Sequence, residues 1–434
     1  MTIPTLVRIN ELTHHVGQTV TVRGWLFQKR SSGKIKFAVL RDGSGYLQGV
    51  LAQGECTEQA LADFEQLTQE SSFTMTGTIR VDKRAPGGFE MTVADLAIIQ
   101  IAGEYPIQPK EHTPGFLMEH RHLWLRSSRQ HAIMRVRNEI IMAIRRFFYD
   151  RGFILIDTPI LTGAIGETAT TLFETEYFDL GKAYLAQTGQ LYVEAAAMAH
   201  GKVFCFGPTF RAEKSKTRKH LNEFWMLEPE VAFADSEDNM QLQEDLICYI
   251  VEWVLRTSRA ELETLKRDFG KLEAIRAPFP RLTYDDAIAR LQKAGMPIQW
   301  GSDFGAPDEE KLMEEFDRPL FVFNWPTVCK AFYMKRNPER PETVLCDDLL
   351  APEGYGEIIG GSQREDDHDL LVERIRAQGL PEAAYAWYLD LRRYGSVPHS
   401  GFGLGLERTV GWICGLDHVR ETIPFARTLG RLYP

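Results

Sequence analysis

FGPTFRAEKSKTRKHLNEFWMLEPE, residues 206–230, is two apolar runs separated by a cationic loop. The first run ends in Arg211 and reads as a strand. The next stretch, residues 213–223, is too rich in Lys and Arg to be a core segment, so it reads as a loop. FWMLEPEVAF then leads back as a second strand, with Glu228 and Glu230 on one face by two-residue alternation. The expectation is an antiparallel pair with polar side chains on one sheet face.

Such a hairpin suits a nucleoside triphosphate. Arg211, at the strand end, offers a planar fork of donors for a phosphate and a carboxylate. Glu213 can accept from an exocyclic amine, Phe224 can stack a purine, and His220 can hold the distal phosphates with the loop cations. A solvated charged hairpin would look the same in isolation. The order F-R-x-E (210–213), a variable loop, then H-x-x-E-F (220–224) resembles the second motif of the class II aminoacyl-tRNA synthetases.

A chain of 434 residues is long enough for two or three domains with a large core. The net charge of −10 argues against a uniformly basic nucleic-acid binder, and no DNA partner is expected. The six cysteines show no paired spacing, which suggests reduced thiols rather than a zinc site or disulfides. The start, MTIPTLVRIN, lacks the pattern of a signal peptide, and no apolar run approaches the ~20 residues of a membrane helix. A cytoplasmic protein with no membrane partner is expected.

Residues 1–103 alternate as five strands with one helical stretch, TEQALADFEQL, between the third and fourth, the pattern of an OB-fold barrel. Between Gly17 and Arg41 there are six basic residues and no acid. Phe37 and Gln48 fall on adjacent strands, where one can stack a base and the other read its edge. A lone strand Phe is more often core. RGW (23–25), R-x-x-G-K-x-x-F (30–37) and LRDGSG-x-x-Q (40–48) resemble the anticodon-binding domain of the aspartyl, asparaginyl and lysyl synthetases. That resemblance implies Phe37 stacked on the central anticodon uridine, Gln48 hydrogen-bonded to it, and Lys29 or Arg30 on a nearby phosphate.

Residues 104–125 carry three prolines and read as a hinge, leaving 126–434 as the second domain. A long helix follows Ser128, a candidate N-cap, with Ile133, Val136, Ile140, Ile144 and Phe147 in one stripe. Gly152 ends it, and FILIDTPIL is a strand broken by Pro159. This pattern resembles the family's first motif, which implies a homodimer with Pro159 near the two-fold axis.

Glu167, in GETATTLFE, and Gln190, in TGQLYVE, match the family's acid and glutamine for the substrate α-amino group. Without that match Glu167 would read as a solvated loop acid. Aspartyl enzymes place a Lys, in S-P-Q-L-Y-K-Q, where this chain has Val193, and an Asp where it has Glu228. A longer carboxylate without a lysine partner would repel aspartate and accept from an amide. Arg364, in GEIIGGSQR, matches the arginine that contacts the substrate side chain and also implies a donor for the amide carbonyl.

Asp348 and Glu357 flank a Gly/Pro loop and can meet at one Mg2+, with Asp347 as competitor. Gly401, Gly403 and Gly405 alternate along a strand with one bare face, and Arg408 opens the following helix. The spacing is wrong for a GxGxxG dinucleotide loop. G-x-G-x-G-x-E-R instead resembles the third class II motif, which implies Arg408 over the adenine and reaching the γ-phosphate. The usual P-F-P-R-T reads PFART, with Ala426 for proline.

The resemblance spans nearly the whole chain. It implies an α+β protein, an N-terminal OB-fold followed by a class II catalytic domain with a mixed, mainly antiparallel sheet flanked by helices. It also implies ATP- and Mg2+-dependent ligation of asparagine to tRNA(Asn) through an asparaginyl-adenylate, in a homodimer. Arg211 and Arg408 would be catalytic by alignment and charge neutralisation. The ATP site would comprise Arg211, Glu213, His220, Phe224, Glu357, Gly403, Gly405 and Arg408. Aspartate ligation remains the nearest alternative, followed by a synthetase-like asparagine synthetase and an RNA-binding OB protein. Residues 262–320 carry no legible chemistry.

Overall fold

The computed structural model describes residues 4–163, 166 and 171–434. They divide into two units, Met1–Thr113 and Pro114–Pro434.

The first unit is a closed barrel of β1 (Thr5–Leu6), β2 (Thr19–Ser32), β3 (Ile35–Arg41), β4 (Tyr46–Ala52), β5 (Ser72–Val81) and β6 (Phe89–Gln100). Helix α1 (Glu58–Gln66) lies between β4 and β5, capped by the Thr57 side chain, which accepts from the Ala60 N–H. The sheet runs β1-β2-β3-β4-β6-β5 and closes through β2–β5. Val20, Val22 and Leu26 of β2 enter the core, while Arg23 and Trp25 face out, as alternation requires. A bulge between Leu26 and Gln28 then resets the register. Closure demands close backbone approach: a Cβ at Gly24 would lie 2.1 Å from the Arg41 carbonyl oxygen. The short β1, parallel to β2, gave no readable alternation.

The second unit opens with α2 (Pro114–Glu119) and α3 (Arg121–Trp124). Residues 114–125 are therefore folded parts of this unit rather than hinge. Arg121 is fully buried, and its Nε and Nη2 donate to the carbonyls of Pro424 and Ile423, each at 2.8 Å. Helix α4 (Ser128–Asp150) is capped by Ser127, whose hydroxyl accepts from the Gln130 N–H at 3.3 Å. Ser128 is thus the first helical residue and not the cap. All five residues of the expected stripe are buried.

The chain continues through β7 (Ile154–Leu155), β8 (Leu161–Thr162), β9 (Glu174–Glu176), β10 (Lys182–Leu185), α5 (Gln190–His200), β11 (Lys202–Phe210), β12 (Glu223–Ala232) and α6 (Ser236–Thr257). Next come α7 (Arg259–Thr264), α8 (Phe269–Glu273), β13 (Arg281–Thr283), α9 (Tyr284–Lys293), α10 (Ala306–Met313), β14 (Leu320–Phe323), β15 (Cys346–Ala351) and β16 (Gly356–Gln363). It closes with α11 (His368–Ala377), α12 (Ala386–Arg393), β17 (His399–Gly405) and α13 (Leu406–Cys414). The eight-stranded sheet runs β13-β14-β15-β16-β17-β12-β11-β7, antiparallel except at its two edges. Leu227, Leu349, Ile359, Phe402 and Leu404 project from it onto α4, α6 and α13 and make the largest core. The alternate residues of β12 and β17 project from the opposite face. That face is the site.

Candidate functional site

Strands β11 and β12 pair from Lys202↔Val231 to Phe210↔Glu223, which leaves residues 211–222 as the loop. With Leu227 committed to the core, Phe224, Met226, Glu228 and Glu230 share the other face. Arg211, Glu213, His220, Phe224, Met226, Glu357, Gly403, Gly405 and Arg408 line one open cavity. All the residues expected to hold a nucleotide are brought together here.

The Arg211 guanidinium lies 5.5 Å from the Phe224 ring centroid, packed on its face. Gly403 keeps the floor low, since a Cβ there would meet the Met226 methyl at 2.4 Å. Arg408 donates to the Glu357 carbonyl at 2.9 Å and approaches its carboxylate at 3.2 Å. Burial raises the Glu357 carboxyl, but Arg408, Lys330 and Arg211 outweigh it and hold the group below its ordinary value. His220 hydrogen-bonds Thr217, and its Nε2 lies 3.6 Å from Glu213. Burial, then Arg408, lowers its pKa. Burial and the neighbouring Arg408 thus keep the histidine uncharged more readily than water would.

Asp347 and Asp348 point to opposite sides of the sheet. Asp347 accepts from Gln243 at 2.6 Å, among the helices, and burial pushes it up to about 6. Asp348 reaches the site face, where Lys330 donates to it at 2.6 Å. A Cβ at Gly360 would sit 3.2 Å from a Glu357 oxygen and 3.6 Å from an Asp348 oxygen, so the glycine leaves both carboxylates room to converge. Two hard oxygen donors beside the cavity fit Mg2+, which commonly takes its other ligands from water and phosphate. Among the described residues no cluster of three or more acidic, His or Cys ligands forms, so substrate would have to complete the shell.

Deeper in the same face Glu228 accepts from Gly189 N–H at 2.8 Å, from Cys205 Sγ at 3.3 Å and from the Thr188 hydroxyl. Val193 is buried with Ala197, Val203 and Cys205, in an apolar cluster that supplies no charge. Arg364 donates to Glu230 at 3.0 Å and to Ser362 at 2.7 Å. Burial lifts Glu230 to about 7 despite that arginine. Gln190 is buried and donates to Glu194 at 3.1 Å. Glu167 lies outside the described residues.

Four contributors were given no role from the sequence. Glu230 anchors Arg364, and its alternation with Glu228 was the available signal. Glu194 stands alone as an acid in the apolar helix α5. Glu309 of α10 meets Lys219 of the loop at 3.3 Å, which brings the uninterpreted 262–320 region to the cavity. In the barrel, Glu90 accepts from Gln48 at 2.7 Å.

On the outer barrel face Phe37 pairs with Val50 and Gln48 with Val39, so both project from the same side of β3 and β4. Arg30 lies over the Phe37 ring at 4.1 Å. Lys29 instead donates to the carbonyls of Phe64 and Glu65 at 3.1 and 3.0 Å, at the C-terminal end of α1. Of the two candidate phosphate contacts, Arg30 is the one beside the ring. Pro159 sits between β7 and β8 at the edge of the large sheet, among exposed Ile154, Leu155, Ile160 and Leu161.

Residues 20–99 match the family described as OB-fold nucleic acid binding domain. The Asparagine--tRNA ligase of Chloroflexus aurantiacus (strain ATCC 29366 / DSM 635 / J-10-fl) is 58% identical over 429 residues, 98% of each chain. That of Roseiflexus sp. (strain RS-1) is 58% identical over 432 residues, again 98% of each. The crystal structure of asparaginyl-tRNA synthetase from Pyrococcus horikoshii complexed with asparaginyl-adenylate superposes with a TM-score of 0.96 at 46% identity, covering 100% of both chains. Residues 114–429, which contain the whole cavity, match the family described as tRNA synthetases class II (D, K and N), and the chain belongs to that family.

Proposed function

We propose that the protein ligates asparagine to tRNA(Asn) at the expense of ATP. The observation that carries the choice of amino acid is Glu228, a buried carboxylate that accepts from Cys205, a member of the apolar cluster that holds Val193. A second carboxylate placed there would face a like charge, whereas an amide can donate to it. Relatives at 58% identity that bear the name Asparagine--tRNA ligase support the same reading.

Asparagine's carboxylate oxygen attacks the α-phosphorus of ATP in line. A new P–O bond forms, the bond between the α-phosphorus and the oxygen that bridges it to the β-phosphorus breaks, and pyrophosphate leaves with that oxygen. Arg211 neutralises charge at the α-phosphate, Arg408 holds the nucleotide, and Phe224 stacks the adenine. Gln190 accepts from the α-ammonium, Arg364 donates to the amide carbonyl and Glu228 accepts its N–H. Asp348 and Glu357 would hold Mg2+, which supplies charge neutralisation at the phosphates. A hydroxyl of the tRNA's terminal adenosine then attacks the acyl carbon and releases AMP.

Anticodon recognition falls to Phe37, Gln48 and Arg30. Phe37→Ala is expected to weaken tRNA binding by about 10- to 100-fold, the worth of one stacked base. Adenylate formation should stay unchanged, so a parallel fall in both would reject the role. The exposed apolar rim around Pro159 suits a homodimer, and the six free cysteines suit the reducing cytoplasm. The deciding experiment is ATP–pyrophosphate exchange with asparagine and with aspartate, run on protein whose solution mass has been measured. Exchange with asparagine alone, by a dimer, is expected. Preference for aspartate would overturn the assignment.

A further inference from the structure

We infer that Glu194 is a positioning residue that decides which end of the Gln190 amide faces the amino acid. The inference rests on Gln190 contacting the substrate ammonium, as proposed above. Glu194 lies one helical turn beyond Gln190 on α5 and has no solvent exposure. One carboxylate oxygen accepts from Gln190 Nε2 at 3.1 Å and from the Tyr388 hydroxyl at 2.7 Å. The other faces Arg392 Nη2 at 2.8 Å, Tyr388 at 2.8 Å and His399 Nε2 at 3.0 Å.

An ionised carboxylate can only accept. The Gln190 amide must therefore turn its NH2 toward Glu194, and its carbonyl oxygen to the opposite side. A substrate ammonium has only donors, so it needs that carbonyl and would be repelled by the NH2. A residue at 194 that could also donate, glutamine included, would let the amide turn round. The Gln190 main-chain N–H donates to Thr188 Oγ1 at 3.0 Å and its side-chain amide is held by Glu194. The same cluster steadies the other side of the pocket, because the His399 carbonyl accepts the Arg364 N–H at 2.9 Å. A buried ion held by a buried arginine is costly to build, and an apolar pair would pack as well. Orientation is what an apolar pair cannot supply.

The test is Glu194→Gln in the full-length protein, read by asparagine-dependent pyrophosphate exchange. Succinamic acid, which is asparagine without its amino group, serves as a competitive inhibitor. The KM for asparagine should rise about tenfold, the worth of one oriented hydrogen bond. The inhibition constant of succinamic acid and the KM for ATP should not move. Asparagine and succinamic acid weakening in step would overturn the inference, as would an unchanged KM for asparagine. If that variant does not fold, Tyr388→Phe is read the same way: it keeps the carboxylate ionised, so the Gln190 amide stays oriented and neither the KM for asparagine nor the inhibition constant of succinamic acid should move. A rise in the KM for asparagine there, alone or together with succinamic acid, would be equally fatal. Wild-type protein with no asparagine-dependent exchange would reject the underlying reading of the pocket, a distinguishable failure.

Discussion

Arg211→Ala is expected to abolish adenylate formation, with pyrophosphate exchange falling by about 10³-fold or more, while the protein stays folded. The size follows from the chemistry. A planar cation aimed at charge that develops during in-line phosphoryl displacement acts mainly in the transition state, and removing one such donor typically costs about 10²–10³-fold, more for an arginine clamp. Loss should therefore appear in kcat rather than in the KM for asparagine. The fold should survive because the loop is joined by bonds the substitution leaves in place. Arg211 N–H donates to the Asn222 carbonyl at 3.0 Å, and Asn222 Nδ2 donates to the Arg211 carbonyl at 2.8 Å. Single-turnover adenylate formation with unchanged circular dichroism checks both halves. Wild-type exchange by the variant would remove Arg211 from the mechanism.

What the sequence made legible was local periodicity. Alternation placed Phe224, Glu228 and the third-motif glycines on one face, and a 3.6-residue stripe placed α4 in the core. What stayed hidden depends on partners distant in the chain. Glu194 is held by Tyr388, Arg392 and His399, roughly two hundred residues away, and nothing local announces them. Lys29 and Arg30 read alike as phosphate contacts, yet the bulge after Leu26 and the end of α1 send one to main-chain carbonyls and leave the other over Phe37. Asp347 and Asp348 had to face opposite ways on a strand, but only the packing of Gln243 identifies which enters the site. Arg121 turned expected hinge into fold for the same reason, because its acceptors lie near the C-terminus.

Glu228→Gln is expected to collapse the discrimination between the two amino acids, lowering the asparagine-to-aspartate ratio of kcat/KM by about 100-fold. In the wild type the β-carboxylate of aspartate meets a buried anion, Val193 offers nothing to offset it, and Arg364 is already engaged by Glu230. Glutamine removes the anion at nearly constant shape. Its carbonyl can still take the Gly189 N–H, and its NH2 can donate to the Thr188 hydroxyl, so the pocket stays hydrogen-bonded. Asparagine should lose about tenfold, because a charge-assisted acceptor for its amide becomes a neutral one. Aspartate should gain by a similar factor once the repulsion is gone. The two shifts have opposite signs, which separates loss of charge from simple damage to the pocket, since damage would weaken both substrates together. Steady-state exchange with each amino acid measures the ratio, and an unchanged ratio would place the discrimination on some group other than Glu228.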